Sequence, residues 1–210
     1  GRANALRSVL SGKVPKEEFT GKRLYEVMDL CLECKACKAE CPSNVDMAKL
    51  KYEFLDHYHR ANGLPLRNRL FGGIERLNRI GSQFAPLSNW IVGSGLNRWF
   101  MEKLTGIDRR RLLPQFAGVT FEGWFEEHKV EGDGAKGEVV MFHDTFNNFN
   151  TPNVAISATR LLERLGYQVR LVNKRCCGRP MISKGMLGEA QNNAAWNVDQ
   201  LAGYAENGVP

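Results

Sequence analysis

The sequence has no long apolar run. Its most apolar stretch, residues 84–101, is interrupted by Pro86, Asn89, Asn97 and Arg98, whereas a membrane-spanning helix needs about 20 consecutive apolar residues. This interruption excludes a membrane span in the stretch. Internal repeats and low-complexity segments are also lacking, and a composition of 43% hydrophobic and 25% charged residues is typical of a globular protein.

A strong charge imbalance is lacking as well. The formal net charge is +6, which is compatible with an acidic partner or an anionic cofactor and does not call for a polyanion. We therefore expect no nucleic-acid partner.

Scattered cysteines are absent. Of the six cysteines, four lie within residues 31–41 and the other two are the adjacent Cys176 and Cys177. A disulfide scaffold spreads its cysteines so that they connect distant loops. The clustering excludes such a scaffold and predicts metal chemistry in a reducing cytoplasm.

The four clustered cysteines follow a single spacing. Cys31, Cys34, Cys37 and Cys41, the last followed by Pro42, reproduce C-x2-C-x2-C-x3-C-P, the run of bacterial ferredoxins. Three thiolates of a tight loop can reach three irons of a [4Fe–4S] cubane, and the fourth cysteine of this run ligates the other cluster in two-cluster proteins. We predict that all four cysteines are [4Fe–4S] ligands, and we expect the remaining ligands to lie upstream of this chain.

Two other interpretations of the motif stay open. In a structural zinc site the cysteines would stabilise the fold and have no redox activity, although zinc usually binds two cysteine pairs that are well separated in sequence. The cysteines also fall on one stripe of a helix and could be buried thiols, although exposed thiolates oxidise readily.

The apolar spacing predicts helices first and a βαβ unit later. Helices are predicted over residues 46–61 and 66–80, the second weakened by Gly72 and Gly73. Further along, the pattern predicts strand, helix, strand and helix over residues 138–142, 152–165, 167–172 and 183–205.

The predicted fold class is α+β: an all-α ferredoxin-like N-terminal region followed by an incomplete α/β (βαβ) domain. The predicted domains are residues 1–130 and 138–210, with a linker at 131–137. Two parallel strands do not make a stable sheet, so we expect the chain to be a fragment trimmed at both ends.

A second candidate site involves the other two cysteines. Cys176 and Cys177 follow the second predicted strand and His143 follows the first, and ligands bind beyond the carboxyl ends of such strands. We predict Cys176, Cys177 and His143 as candidate catalytic residues; a tight turn with buried thiols is the alternative. Four basic residues are expected to make this edge electropositive: Lys174, Arg175, Arg179 and Lys184.

Three segments carry a family resemblance: residues 1–7, 30–46 and 176–185. They resemble the C-terminal half of fused FAD-linked oxidase/iron–sulfur proteins. That family is similar to D-lactate and D-2-hydroxyglutarate dehydrogenases, to the iron–sulfur subunit of glycolate oxidase and to one subunit of anaerobic glycerol-3-phosphate dehydrogenase. The resemblance implies an FAD-binding oxidase domain, upstream in the same chain or in a partner subunit, and a first cluster motif upstream.

The Cys176-Cys177-Gly178 element is similar to the CCG cysteine-rich domain of heterodisulfide reductase subunits. Relatives can bind a further cluster there with an earlier cysteine and a later C-x2-C. This sequence has His143 where the earlier cysteine would stand and no later cysteine, which argues against a second metal site.

The predicted function is the iron–sulfur electron-transfer part of a flavin-dependent 2-hydroxy-acid dehydrogenase or oxidase. Electrons would pass from FAD through [4Fe–4S] clusters to an acceptor, for which a quinone and a membrane-associated partner are the candidates. The alternatives are a thiol or cluster catalytic site at Cys176 and Cys177, acting on a substrate or disulfide, and a structural zinc module. We expect a cytoplasmic protein, or one peripheral to the inner face of the membrane, and a fragment that is inactive on its own.

Overall fold

The computed structural model describes residues 1–210 and is mostly helical, with thirteen α-helices, one 3₁₀ helix and two strands. The chain divides into two compact units. The first unit comprises residues 1–72 and 178–191, and the second comprises residues 73–177 and 192–210. The domains expected at residues 1–130 and 138–210, and the linker expected at 131–137, stay predictions.

Six α-helices and the 3₁₀ helix lie within the first unit. They are α1 (Arg2–Leu10), the 3₁₀ helix Lys16–Thr20, α2 (Lys22–Asp29), α3 (Ala36–Glu40), α4 (Met47–Asn62), α5 (Leu66–Gly72) and α12 (Arg179–Ile182).

Helix α4 organises the first unit. The Asp46 carboxylate caps its start by accepting a hydrogen bond from Lys49 N at 3.0 Å, and Gly63, with φ of 86°, ends it. Its apolar side packs into a core with α1 and α2 that contains Leu6, Val9, Leu24, Met28, Met47, Phe54 and Leu55. This core lies directly beneath the segment that bears the four clustered cysteines, because Cys37 and Val45 pack against it.

The second unit contains the sheet and the remaining helices. Its elements are α6 (Ile74–Gln83), α7 (Ala85–Gly93), α8 (Gly95–Thr105), α9 (Phe121–Glu127), β1 (Glu138–Met141), α10 (Thr145–Phe149), α11 (Pro152–Arg164) and β2 (Gln168–Leu171). Helix α13 (Leu187–Glu206) contributes residues to both units.

The predicted βαβ unit is confirmed. Strands β1 and β2 pair in parallel, with Val139 opposite Val169, and both valines are buried. Helix α11 lies between them in the chain and begins at Pro152. Proline suits this position because the N–H of the first helical residue has no partner within the helix. The carbonyl of Pro210 accepts a hydrogen bond of 2.8 Å from Val140 N, so the last residue lies at the edge of β1. The coarse α+β class is therefore confirmed, and the ferredoxin-like arrangement stays a prediction.

Two predicted helices differ in the structure. The helix expected over residues 66–80 is two helices, α5 and α6, separated at Gly73, because consecutive glycines carry the highest backbone entropy penalty. The helix expected over 183–205 begins only at Leu187, and the short α12 precedes it. Helix α12 ends at Ile182, and Gly185, with a positive φ of 66°, lies in the turn before α13. None of the helices is both long and apolar enough to cross a bilayer.

Candidate functional site

The cysteine motif lies on a loop and a short helix. Residues 31–35 are irregular and lead into α3. Glu33 and Lys35 adopt left-handed φ values of 59° and 60°, a region that residues other than glycine rarely occupy. These two positions turn the backbone on either side of Cys34, so the loop folds back on itself within a few residues.

The loop places its thiols at different depths. Cys34 is exposed, whereas Cys31, Cys37 and Cys41 are half-buried. Cys41 lies one helical turn after Cys37, and its N–H donates to the Cys37 carbonyl at 3.0 Å. The four thiols therefore lie at or near the surface of the first unit, where an inorganic group can reach them.

The backbone around the loop leaves donors available. Hydrogen bonds run from Cys31 N to Met28 O and from Lys38 N to Lys35 O, each at 3.0 Å. Between these two bonds, the N–H groups of residues 32–36 make no hydrogen bond to another backbone group. Hydrogen bonds to cluster sulfurs are one means by which a protein sets a cluster's reduction potential.

Lys51 of α4 holds the loop. Its ammonium donates to the Cys31 carbonyl oxygen at 2.8 Å and pairs with the Glu33 carboxylate at 3.2 Å. The side chains of Lys51 and Glu33 are only 7% and 15% exposed, so the ion pair is poorly screened by water.

Other charges near the loop act on their neighbours. The N–H of Lys49 lowers the pKa of Asp46, and the positive charges of Lys35 and Lys38 add to this effect. Burial raises the pKa of Tyr52, and the nearby Glu33 carboxylate adds to it. Both signs of charge thus surround the motif, and Lys35 and Lys38 are the residues within it whose positive charge suits the net negative charge of a thiolate-ligated cluster.

The donor set fits an iron–sulfur cubane in type, because the motif supplies four cysteine thiols on one loop and a short helix. No three side chains among His, Cys, Asp and Glu converge on a point that could hold a single metal ion. In a cubane each thiolate binds a different iron, so the ligands stand around the cluster instead of meeting at one point. Assignment of Cys31, Cys34, Cys37 and Cys41 as ligands remains a prediction.

The second candidate site lies beyond the carboxyl ends of β1 and β2. His143 follows β1, is buried, and its Nε2 lies 2.6 Å from Glu122 Oε1. This hydrogen bond lowers the pKa of Glu122 to about 2. Asp144, the next residue, caps α10 by accepting hydrogen bonds from Phe146 N and Asn147 N.

The two adjacent cysteines follow β2 and differ in exposure. Cys176 is buried and Cys177 is exposed. The N–H of Cys176 donates to Glu75 Oε2 at 3.1 Å, and Glu75 Oε1 lies 3.7 Å from Lys174 Nζ. The structure thus ties Cys176 to Glu75 and His143 to Glu122, and the roles of Cys176, Cys177 and His143 as catalytic residues stay predictions.

The four basic residues expected at this edge have separate environments. Lys174 pairs with Glu75, and the Arg175 guanidinium lies over the Trp196 ring, 4.4 Å from its centroid. Arg179 and Lys184 belong to the first unit, where Lys184 lies over the Phe71 ring and burial lowers its pKa.

Sequence reasoning missed Lys51, Glu75 and Glu122. Lys51 had a detectable signal, because it stands one turn after Met47 and one turn before Leu55, two buried residues of α4. A charged residue in the buried register of an amphipathic helix indicates a specific partner. Glu75 and Glu122 had no such signal, because their partners lie far away in sequence.

Comparison with known proteins identifies the N-terminal segment. Residues 2–46 match a family described as a 4Fe-4S dicluster domain. The predicted resemblance is confirmed. The [4Fe–4S] type of cofactor and a role in electron transfer are confirmed with it, because this match covers the cysteine loop and α1 to α3.

The chain is also similar to parts of two kinds of dehydrogenase. It is 29% identical over 137 residues to one subunit of the anaerobic glycerol-3-phosphate dehydrogenase of Escherichia coli K12. It is 27% identical over 216 residues to D-2-hydroxyglutarate dehydrogenase of Pseudomonas putida, and 26% identical over 196 residues to the same enzyme of Escherichia coli K12.

These matches cover most of this chain but little of the relatives. They include 65%, 98% and 88% of this chain, respectively. They span 35% of the glycerol-3-phosphate dehydrogenase relative and 21% and 19% of the two D-2-hydroxyglutarate dehydrogenases. No solved structure matches the chain.

Proposed function

We propose that this chain is the iron–sulfur electron-transfer part of a flavin-linked dehydrogenase that oxidises a 2-hydroxy acid. Cys31, Cys34 and Cys37 would ligate three irons of one [4Fe–4S] cluster, and Cys41 would ligate a second cluster. When bound, such a cluster accepts and releases one electron at a time.

The cysteine loop is the observation that carries this proposal. Its left-handed residues Glu33 and Lys35 fold the backbone so that N–H donors and thiols share one short segment. Lys51 anchors the loop to α4 through the Cys31 carbonyl. A loop fixed before it binds an inorganic group loses less conformational entropy when binding occurs.

The charges around the loop suit electron transfer. The ammonium of Lys51 is buried beside the first cysteine, and Lys35 and Lys38 lie within the motif itself. Positive charge near the site stabilises the added negative charge after reduction. Lys35 and Lys38 would therefore raise the reduction potential of a bound cluster, whereas the charge of Lys51 is balanced by Glu33.

The proposals of a flavin and of an electron acceptor are based on the family resemblance and on the names of the relatives. Two of the relatives are named D-2-hydroxyglutarate dehydrogenases, which supports a 2-hydroxy acid as the substrate of the whole protein. We propose that FAD lies in an oxidase domain, in the same chain or in a partner subunit. A quinone or a membrane-associated partner is the proposed acceptor.

The test is metal analysis of matched variants. Iron, sulfide and zinc are measured in the anaerobically reconstituted chain, together with EPR of the dithionite-reduced sample. About four irons with equal sulfide are expected per cluster. Cys34→Ser should lose most of the iron, whereas Cys177→Ser, at an exposed cysteine outside the motif, should retain it.

Three results would contradict the proposal. Zinc without sulfide would support the structural zinc module instead. Unchanged iron in the Cys34→Ser variant would remove this cysteine from the ligand set. Loss of iron in the Cys177→Ser variant would move cluster chemistry to the other cysteine pair.

A further inference from the structure

A cavity of about 770 Å³ lies at the carboxyl end of β2 in the second unit. Val172, Asn173 and Lys174, the residues that follow the strand, form one wall, and residues of α6, α9 and α10 form the others. The crevice beyond the carboxyl ends of parallel strands is where ligands bind in α/β folds. The volume falls in the range of small-molecule sites.

Lys174 is the unusual residue of this cavity. Its side chain is only 3% exposed, and its sole ionic partner, Glu75 Oε1, lies at 3.7 Å, beyond hydrogen-bond distance. Glu75 is shared, because Arg79 lies 3.9 Å from the same oxygen and Cys176 N donates to the other one. A buried ammonium is stabilised by a hydrogen-bonded anion, and the carboxylate oxygen of Glu75 stands beyond hydrogen-bond distance of Lys174.

The remaining lining limits how much negative charge a ligand can carry. Glu122 and Glu127 line the cavity, and the hydrogen bond from His143 keeps Glu122 ionised. A second negative charge on the ligand would meet these carboxylates. Phe149 and Val172 contribute buried apolar surface, which favours an uncharged carbon body.

We propose that this cavity binds a small organic monocarboxylate. The carboxylate accepts a hydrogen bond from the Lys174 ammonium, with Arg79 supplying a second positive charge at the cavity wall. The carbon body lies against Phe149 and Val172. The assignment rests on the second unit alone and does not depend on the proposed electron-transfer function.

Isothermal titration of the whole chain with acetate, butyrate, hexanoate and inorganic phosphate tests this assignment. Affinity should rise from acetate to hexanoate as apolar surface is buried, and phosphate should bind more weakly than butyrate. Lys174→Met should weaken butyrate binding about tenfold or more, since a charge-assisted hydrogen bond is lost. Lys129→Met is the matched control, because Lys129 is an exposed lysine of the same unit that does not line the cavity, and it should leave binding unchanged.

A second variant covers the case in which Lys174→Met fails to fold. Arg79 is 63% exposed, so Arg79→Gln should fold normally and weaken butyrate binding by a few fold. Unchanged affinity in a folded Lys174→Met or Arg79→Gln variant would overturn the assignment. So would an absence of carboxylate binding at about 10 mM, or phosphate binding as tight as that of butyrate.

Discussion

The ammonium of Lys51 lies 2.8 Å from the carbonyl oxygen of Cys31 and 3.2 Å from the carboxylate of Glu33. One buried side chain of α4 thus holds both the first cysteine of the motif and the left-handed residue that follows it. The conformation of the cysteine loop depends on a residue outside the motif.

Replacement of Lys51 should loosen the loop. Lys51→Met removes a charged hydrogen bond and leaves Glu33 unpaired at low exposure, so the free energy of unfolding should fall by about 1–3 kcal/mol. Iron and sulfide content after reconstitution should fall as well. Urea unfolding and metal analysis measure the two effects, and Lys51→Arg should recover part of each.

Lys49 supplies the control for this experiment. It is exposed on the same helix, so Lys49→Met should change neither stability nor cluster content. Equal losses in the Lys49 and Lys51 variants would show that overall positive charge matters and that the contact with Cys31 does not.

Gly185 should resist substitution because a side chain there has no room. Its φ is +66°, and an added Cβ would lie 2.5 Å from Leu55 Cβ and 2.7 Å from Leu55 C. Gly185→Ala should therefore lower the free energy of unfolding by about 2 kcal/mol or more, through backbone strain and overpacking.

Gly188→Ala is the matched substitution for Gly185→Ala. An added Cβ at Gly188 meets nothing within 4 Å, and the residue lies in α13, so alanine should be neutral or stabilise by up to about 1 kcal/mol. Thermal unfolding of both variants decides the matter. Equal stability of the two variants would mean that Gly185 does not pack closely on α4.

His59 should make the protein less stable in mild acid. Burial lowers its pKa from 6.5, so the unfolded state takes up a proton at a higher pH than the folded state does. The contribution of neutral His59 to the free energy of unfolding is therefore complete above pH 6.5. It is lost as the pH falls from there through the lower pKa of the folded state.

Unfolding midpoints in urea measured from pH about 7 to about 5 test the role of His59. The wild type should lose stability across this range, and His59→Gln should lose less. His57→Gln serves as the control, since His57 is exposed on the same helix. An identical decline in the wild type and His59→Gln would contradict the prediction.

The Glu122–His143 contact should matter at lower pH. The hydrogen bond from His143 lowers the pKa of Glu122 from 4.5 to about 2, so its contribution is present above pH 4.5 and is lost as the pH falls toward 2. The wild type should exceed Glu122→Gln in stability near neutral pH, and the difference should shrink through this window. The effect is modest because the Glu122 side chain is 47% exposed.

Urea unfolding at a series of pH values measures this difference. Glu126→Gln, at an exposed position on the same helix, should track the wild type throughout. If the difference in unfolding free energy between the wild type and Glu122→Gln did not change with pH, Glu122 would act through its shape and not its charge.

The sequence predicted the elements whose signals are local. The spacing of four cysteines and a proline predicted the iron–sulfur segment, and alternating strand and helix patterns predicted β1, α11 and β2. Helix α4 was predicted to within one residue at each end, because Asp46 and Gly63 are strong start and stop signals.

Contacts between residues far apart in the chain could not be predicted from the sequence. Within α4 the apolar Leu50 is 40% exposed, whereas Lys51 takes a buried position because Cys31 and Glu33 supply its partners. Likewise, the Glu75 carboxylate accepts a hydrogen bond from the N–H of Cys176, which lies 101 residues later in the chain. Local propensity and period carry no information on such pairs.

The first unit consists of two segments, and this affects the order in which the chain can fold. Residues 178–191 complete the unit that residues 1–72 begin, and Gly185 packs directly on Leu55. During synthesis on the ribosome, α4 and α5 emerge long before the segment that packs on them. The part of α4 around Leu55 therefore stays uncovered while residues 73–177 are made, and the first unit can be completed only after residue 191 has left the exit tunnel.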